Sequence, residues 1–143
     1  MHKALNYMSL ARKAGRIELG EEPVGAAARA QKARLVVVAS DASDHTWRRS
    51  KSFVAGTNQQ CIRVAFTKEE LGQAIGRSSL AVAAFTDPAL ALAFVQAQGE
   101  QRYDAVAQQL QDRTKRIRQR QAEEKAHQKN KRMGNPGKKA GMK

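Results

Sequence analysis

The spacing of apolar residues changes several times along the first hundred positions, and each change marks an element. Between residues 2 and 14, Leu5, Met8 and Ala11 recur at three-residue steps while Lys3, Arg12 and Lys13 fall elsewhere, which predicts an amphipathic helix. Gly15 supplies its C-cap, because glycine enters the left-handed region without a Cβ clash. Arg16-Ile17-Glu18-Leu19 is a short extended piece. Gly20-Glu21-Glu22-Pro23 then opens a second helix that runs to about Gln31. Acids suit the positive end of a helix, and proline fits a first turn whose N–H groups have no intrahelical partner.

Leu35-Val36-Val37-Val38-Ala39 is unbroken and mostly β-branched, as expected of a strand covered on both faces. Ser40-Asp41-Ala42-Ser43-Asp44 forms a loop and a helix start, and the third helix covers 44–55 before the turn at Gly56-Thr57-Asn58. Cys61–Phe66 reads as a second strand. Thr67 and Glu70 have the spacing of a capping box for a helix over 68–75, stopped by Gly76. Leu80–Phe85 is another buried strand, and Asp87-Pro88 places an N-cap and a first-turn proline ahead of a helix over 88–98. Helices and strands alternating over short connections predict an α/β fold, a sheet with helices on both faces. A last helix starts near Glu100, where Tyr103, Val106 and Leu110 can dock it. Beyond Ile117 the apolar stripe stops, leaving a solvated basic rod or coil to about Arg132. Gly134-Asn135-Pro136-Gly137 ends any helix, and the remainder is expected to be disordered.

Charge divides the chain in the same place. Residues 1–110 carry 14 Lys and Arg against 10 Asp and Glu, whereas residues 111–143 carry 12 against 3. Such density repels itself unless a polyanion neutralises it, and nucleic-acid phosphates do so with release of condensed counterions. The expected organisation is one domain over 1–98 and a basic tail, helical then disordered, over 99–143. Cys61 is the sole cysteine, so no internal disulfide forms and a reducing compartment suits the chain. With no apolar run of the length of a membrane span and no secretory pattern, the expectation is a cytoplasmic monomer with no membrane partner.

Catalysis has little support. His2, His45 and His127 are scattered without a ligand-spaced partner, so no metal site is expected. No phosphate-cradling glycine loop is present, and no cofactor is expected. Cys61 reads as an inert core thiol and Glu69-Glu70 as capping acids. Trp47-Arg48-Arg49 with Lys51 admits two readings: a surface that stacks on bases and pairs with phosphates, or a helix with Trp47 and Phe53 anchored in the core and its arginines in water.

The succession Leu10-Ala11-Arg12-Lys13-Ala14-Gly15-Arg16, Gly20-Glu21-Glu22, Leu35–Ala42 and Thr67-Lys68-Glu69-Glu70-Leu71-Gly72-Gln73-Ala74-Ile75-Gly76 resembles the kink-turn RNA-binding ribosomal protein superfamily. Within it the chain is most similar to the small bacterial YlxQ-type members, of the ribosomal protein seven-Ae type. The likeness covers about residues 3–96; the tail from residue 100 lies outside it. It implies a three-layer α/β/α sandwich around a mixed four-stranded sheet, which binds a sharply bent RNA internal loop with sheared G·A pairs. It places RNA contacts at Gly20, Glu21, Glu22, Pro23 and Ala26, at Ser40 and Asp41, and at Arg77, Ser78, Ser79 and Leu80. Members that bind kink-turns tightly carry polar residues where this chain has Pro23, and a lysine where it has Ala26. The resemblance therefore implies weaker or retargeted binding, with Gly20 allowing close approach of backbone to RNA and Arg77 set for a phosphate.

Two functions follow. The first is a non-enzymatic RNA-binding ribonucleoprotein component, linked to ribosomal or other structured RNA. There the sandwich selects shape, and Arg113, Lys115, Arg116, Arg118 and Arg120 grip phosphates. The second is a protein-interaction module that docks a translation or RNA-processing factor, with the ribosome as a further partner and the tail as a non-specific RNA anchor.

Overall fold

The computed structural model describes residues 1–132, with side chains described to residue 128. The helix-ending segment Gly134–Gly137 and the disorder expected after it lie outside the described residues. In chain order the elements are α1 (Lys3–Lys13), β1 (Ile17–Leu19), α2 (Glu21–Arg29), β2 (Leu35–Val38), α3 (Asp44–Val54), β3 (Gln60–Arg63), α4 (Lys68–Ala74), β4 (Val82–Phe85) and α5 (Pro88–Gln98). A single 3-10 turn (Gln101–Tyr103) then leads into α6 (Asp104–Arg132).

The four strands form one mixed sheet in the order β1-β4-β2-β3. β4 runs antiparallel to both β1 and β2, while β2 and β3 are parallel. Every residue of β2 and β4 is buried, the signature of central strands covered on both faces. On the edges only Ile17 of β1 and Ile62 of β3 are buried. Helix α1 packs against α4 and α5, and α2 packs against α3. This is the three-layer α/β/α sandwich with a mixed four-stranded sheet that the sequence resemblance implies. Phe85 and Phe94 meet in the core as a tilted pair with ring centroids 5.1 Å apart, and Met8, Leu35 and Leu71 are likewise fully enclosed. Each such side chain contributes about 1.5–3 kcal/mol of transfer free energy.

The local signals act as their chemistry dictates. Thr67 and Glu70 exchange both capping-box bonds. Asp87 caps α5 through Ala89 N–H, with Pro88 in its first turn. Three helices end in the same motif, in which the residue after the cap turns left-handed and two N–H groups reach back into the last turn. Gly15 (φ +69°) fills that position after α1 and Gly76 (φ +76°) after α4, whereas after α2 it is Gln31 (φ +60°).

Gln31 therefore ends α2 at Arg29, slightly short of the sequence expectation. Two strands are also shorter than the apolar runs suggest. β3 stops at Arg63, opposite the end of β2 at Val38, although Val64 N–H still donates to the Val38 carbonyl at 2.9 Å. β4 starts at Val82 because Leu80 N–H is drawn away to the carbonyl of Lys68 at the head of α4, 2.9 Å distant.

The chain forms two compact units, the first Met1–Gln111 and the second beginning at Asp112. The first includes the opening turns of α6: Tyr103 and Leu110 are buried, and the Tyr103 hydroxyl donates to the Arg63 carbonyl at 2.8 Å. Burial raises the Tyr103 phenol above its usual pKa, against the lowering influence of Arg102. In the second unit, Arg113, Arg116 and Arg120 share one face of the helix, at three- and four-residue steps. Lys115, Arg118 and Lys125 share the opposite face. Among the described residues no helix is long and apolar enough to cross a membrane.

Candidate functional site

Because β4 runs against β1 and β2, its first residues stand beside their last ones. Gly20 N–H donates to the Val82 carbonyl, and Ala39 N–H donates to the Ala81 carbonyl, both at 2.9 Å. One end of the sheet thus gathers the start of α2, the Ser40–Asp41 loop and the Arg77–Leu80 loop. These are the three segments, far apart in sequence, at which the resemblance places RNA contacts.

Gly20 is the N-cap of α2 at φ +95°, a backbone that side-chain-bearing residues rarely adopt. Glu22, Pro23 and Ala26 are exposed on the first turns, and Glu21 is half-buried. One Glu21 carboxylate oxygen, Oε1, is shielded from water and has no hydrogen-bond partner. Ser40 and Asp41 are exposed, but their bonds run inward. Ser40 N–H donates to the Phe66 carbonyl at 2.8 Å, and Asp41 Oδ1 accepts from Lys68 N–H at 2.8 Å. Asp41 thus stabilises the N-terminus of α4, where free N–H groups favour a carboxylate.

The Arg77–Leu80 loop is held closest. A Cβ at Gly72 would stand 2.6 Å from Ser79 Cα and 2.9 Å from the Arg77 carbonyl oxygen, so only glycine lets the loop fold onto α4. Arg77 N–H donates back to the Gly72 carbonyl at 2.8 Å. From α1, Arg12 Nη1 donates to the Ile75 carbonyl at 2.9 Å, and the Ser9 hydroxyl donates to the Ala74 carbonyl. A cation and a hydroxyl thereby satisfy the C-terminal carbonyls of α4 just before the loop leaves it. The result presents Arg77, Ser78 and Ser79 to solvent, while the Leu80 side chain turns inward. Gly72, Arg12 and Ser9 position this loop; in the sequence Gly72 and Arg12 stand within the motifs that carry the resemblance, without a role at the site, and Ser9 stands outside them. The mid-helix glycine of α4 was the available signal, since glycine weakens a helix interior.

Trp47 and Phe53 are partly buried against the core, as the core-anchor reading has it. The cations nevertheless lie on their rings, with Lys51 Nζ and Arg63 Cζ 5.0 and 5.7 Å from the Trp47 centroid and Arg49 Cζ 5.6 Å from that of Phe53. Cys61 is a half-buried free thiol, and burial pushes its pKa up to about 12, so it stays protonated near neutrality. Among the described residues no group of His, Cys, Asp or Glu could hold a metal ion. Arg113, Lys115, Arg116, Arg118 and Arg120 belong to the second compact unit.

Comparison with known proteins gives concordant findings. The family model described as ribosomal protein L7Ae/L30e/S12e/Gadd45 matches residues 2–92. The Enterococcus faecium RNA-binding protein YlxQ is 37% identical over 75 residues, covering 52% of this chain and 72% of that protein. Among solved structures, a Bacillus halodurans protein with unknown function superposes with a TM-score of 0.65 at 26% identity, over 70% of this chain and all of the other. The Giardia lamblia 15.5kD RNA binding protein shares the fold, with a TM-score of 0.53 at 21% identity over 71% of this chain and 85% of its own.

Proposed function

The chain belongs to the ribosomal protein L7Ae/L30e/S12e/Gadd45 family, and from that membership we propose that it is a non-enzymatic RNA-binding protein that reads a bent, structured RNA. The convergence of Gly20–Glu22, Ser40–Asp41 and Arg77–Ser79 at one end of the sheet carries the reading. In this reading Gly20 lets the RNA backbone approach the start of α2. Glu21 and Glu22 accept hydrogen bonds from guanine N–H groups, and Arg77 meets a phosphate. Ser78 and Ser79 add hydroxyl contacts. Asp41, engaged with α4, holds the surface in register, and Leu80 supports it from beneath.

The cations of the second unit act differently. Arg113, Lys115, Arg116, Arg118 and Arg120 lie around a helix without an apolar stripe, so phosphates can be met from more than one side. Their contribution is independent of sequence and falls with salt. The protein works in the cytoplasm on ribosomal or comparable RNA.

The test is binding of the full chain to a kink-turn RNA and to a straight duplex of equal length. A preference for the kink-turn, increased about thirtyfold by Pro23→Gln with Ala26→Lys, supports the reading, since each of the two added polar contacts contributes on the order of 1 kcal/mol. Equal binding to both RNAs would sink the shape-reading role. The exposed apolar surface of Pro23 and Ala26 would then favour the second function, docking of a protein factor.

A further inference from the structure

Between α2 and α3 runs a groove of about 430 Å³ that shares Glu21 and Glu22 with the proposed RNA-reading end and continues away from it to Arg29, Arg49 and Phe53. Its width is set by Gly25. A Cβ there would lie 3.2 Å from the Phe53 ring and 3.4 Å from Arg29 Nη1, so glycine brings the two helices together and leaves a low floor. Along α2, Glu21, Gly25 and Arg29 follow one another at four-residue steps, and the eight-residue separation of the two ends spans roughly 12 Å.

The groove's polar groups are not engaged with each other. Arg29 and Arg49 are exposed and form no ion pair among the described residues, although two carboxylates share the groove with them. The Arg49 guanidinium carbon stands 5.6 Å from the Phe53 ring centroid, a cation–π contact that sets an exposed guanidinium beside an aromatic ring. Two forked donors without a carboxylate partner, one of them resting against an aromatic ring, are complementary to a nucleotide. The base supplies a π face, and its phosphate supplies the anion.

We infer that this groove binds an unpaired nucleotide of an RNA strand leaving the structured site. The base stacks on the Arg49–Phe53 pair, and Arg29 and Arg49 hold the flanking phosphate. The inference rests on the proposed RNA-binding function and extends its surface along α2. It also assigns a role to the aromatic and basic segment of α3, on the Arg49–Phe53 side rather than at Trp47, whose ring already carries Lys51 and Arg63.

The experiment uses the full chain and three RNAs built on one kink-turn: flush-ended, extended by a few unpaired nucleotides, and extended by the same number of abasic residues. The nucleotide extension is expected to tighten binding about tenfold, the magnitude of one base stacked on a protein platform, and the abasic extension far less. Arg29→Ala with Arg49→Ala should abolish that gain and leave flush-RNA affinity within about twofold. Arg49→Lys, which keeps the charge but not the plane, should lose most of it. Equal gains from nucleotide and abasic extensions would overturn the inference in favour of phosphate contacts by the tail. So would a double variant that weakens the flush RNA as strongly as the extended one, or full activity of Arg49→Lys. Tight binding of the flush RNA without any gain refutes the groove alone, whereas failure to bind any of the three refutes the RNA-reading function with it.

Discussion

The two compact units handle charge in opposite ways. In Met1–Gln111 many polar groups are committed to the fold. Asp41 holds the first turn of α4, Arg12 its last, Glu70 its capping box, and Gln59 bridges the Ala33 N–H and the Ala28 carbonyl. Cations outnumber acids there only 14 to 10. From Asp112 onward cations outnumber acids 12 to 3, and Lys115, Arg116, Arg118 and Arg120 form no ion pair among the described residues. One region uses much of its charge to fix geometry, and the other keeps its cations available to a ligand. The proposed division of labour, shape from the sandwich and salt-dependent grip from the helix, is this difference expressed as function.

Removal of the second unit should have the largest effect. Truncation after Gln111 should lower affinity for structured RNA on the order of 100-fold near physiological salt, because several phosphate contacts are lost. The slope of log affinity against log salt should become shallower. The kink-turn-to-duplex ratio should hardly change, since shape reading resides in the sandwich. A titration series at several salt concentrations reads both quantities. An unchanged slope removes the helix from the binding mechanism.

Gly72→Ala perturbs the sandwich and leaves the basic helix untouched. The added methyl meets backbone atoms of Ser79 and Arg77 that cannot rotate away. Unfolding in urea should show a loss of about 1–3 kcal/mol. The displaced loop should also weaken the preference for bent RNA, while the salt slope, set by the helix, stays as it was. Retention of both stability and preference would show that the Arg77–Leu80 loop does not depend on its close seat against α4.

Much of this contrast is legible in sequence, because its causes are local. The run Leu35–Val38, the pair Thr67 and Glu70, Asp87 with Pro88, and the glycines after α1 and α4 each determine their own surroundings. What escapes is set by partners distant along the chain. Val64–Phe66 looks like strand but lies beyond the end of β2, and Leu80 looks like strand but is bonded to Lys68. The nearness of Gly20 to Val82, the clasp of Arg12 on Ile75 and the meeting of Gly25 with Phe53 arise from topology and from no local pattern. The candidate site is legible only through family resemblance, and Arg12 and Ser9, which brace it from α1, carry no local signal of that role.

The smallest predicted effect isolates folding from binding altogether. Gln31 occupies the left-handed position that glycine fills after α1 and α4, and its Cβ makes that backbone less favourable. Gln31→Gly relieves the strain but adds freedom to the unfolded chain. The net expectation is a gain of about 0.5–1 kcal/mol, an increase of a few degrees in melting temperature. Gln31 lies at the far end of α2 from Gly20, and its retained carbonyl still accepts from Arg34. RNA affinity and its salt dependence should therefore remain those of the unaltered chain. A more stable protein with altered affinity would mean that the C-terminal end of α2 communicates with the RNA surface, and that the sandwich does not present its loops as a rigid body.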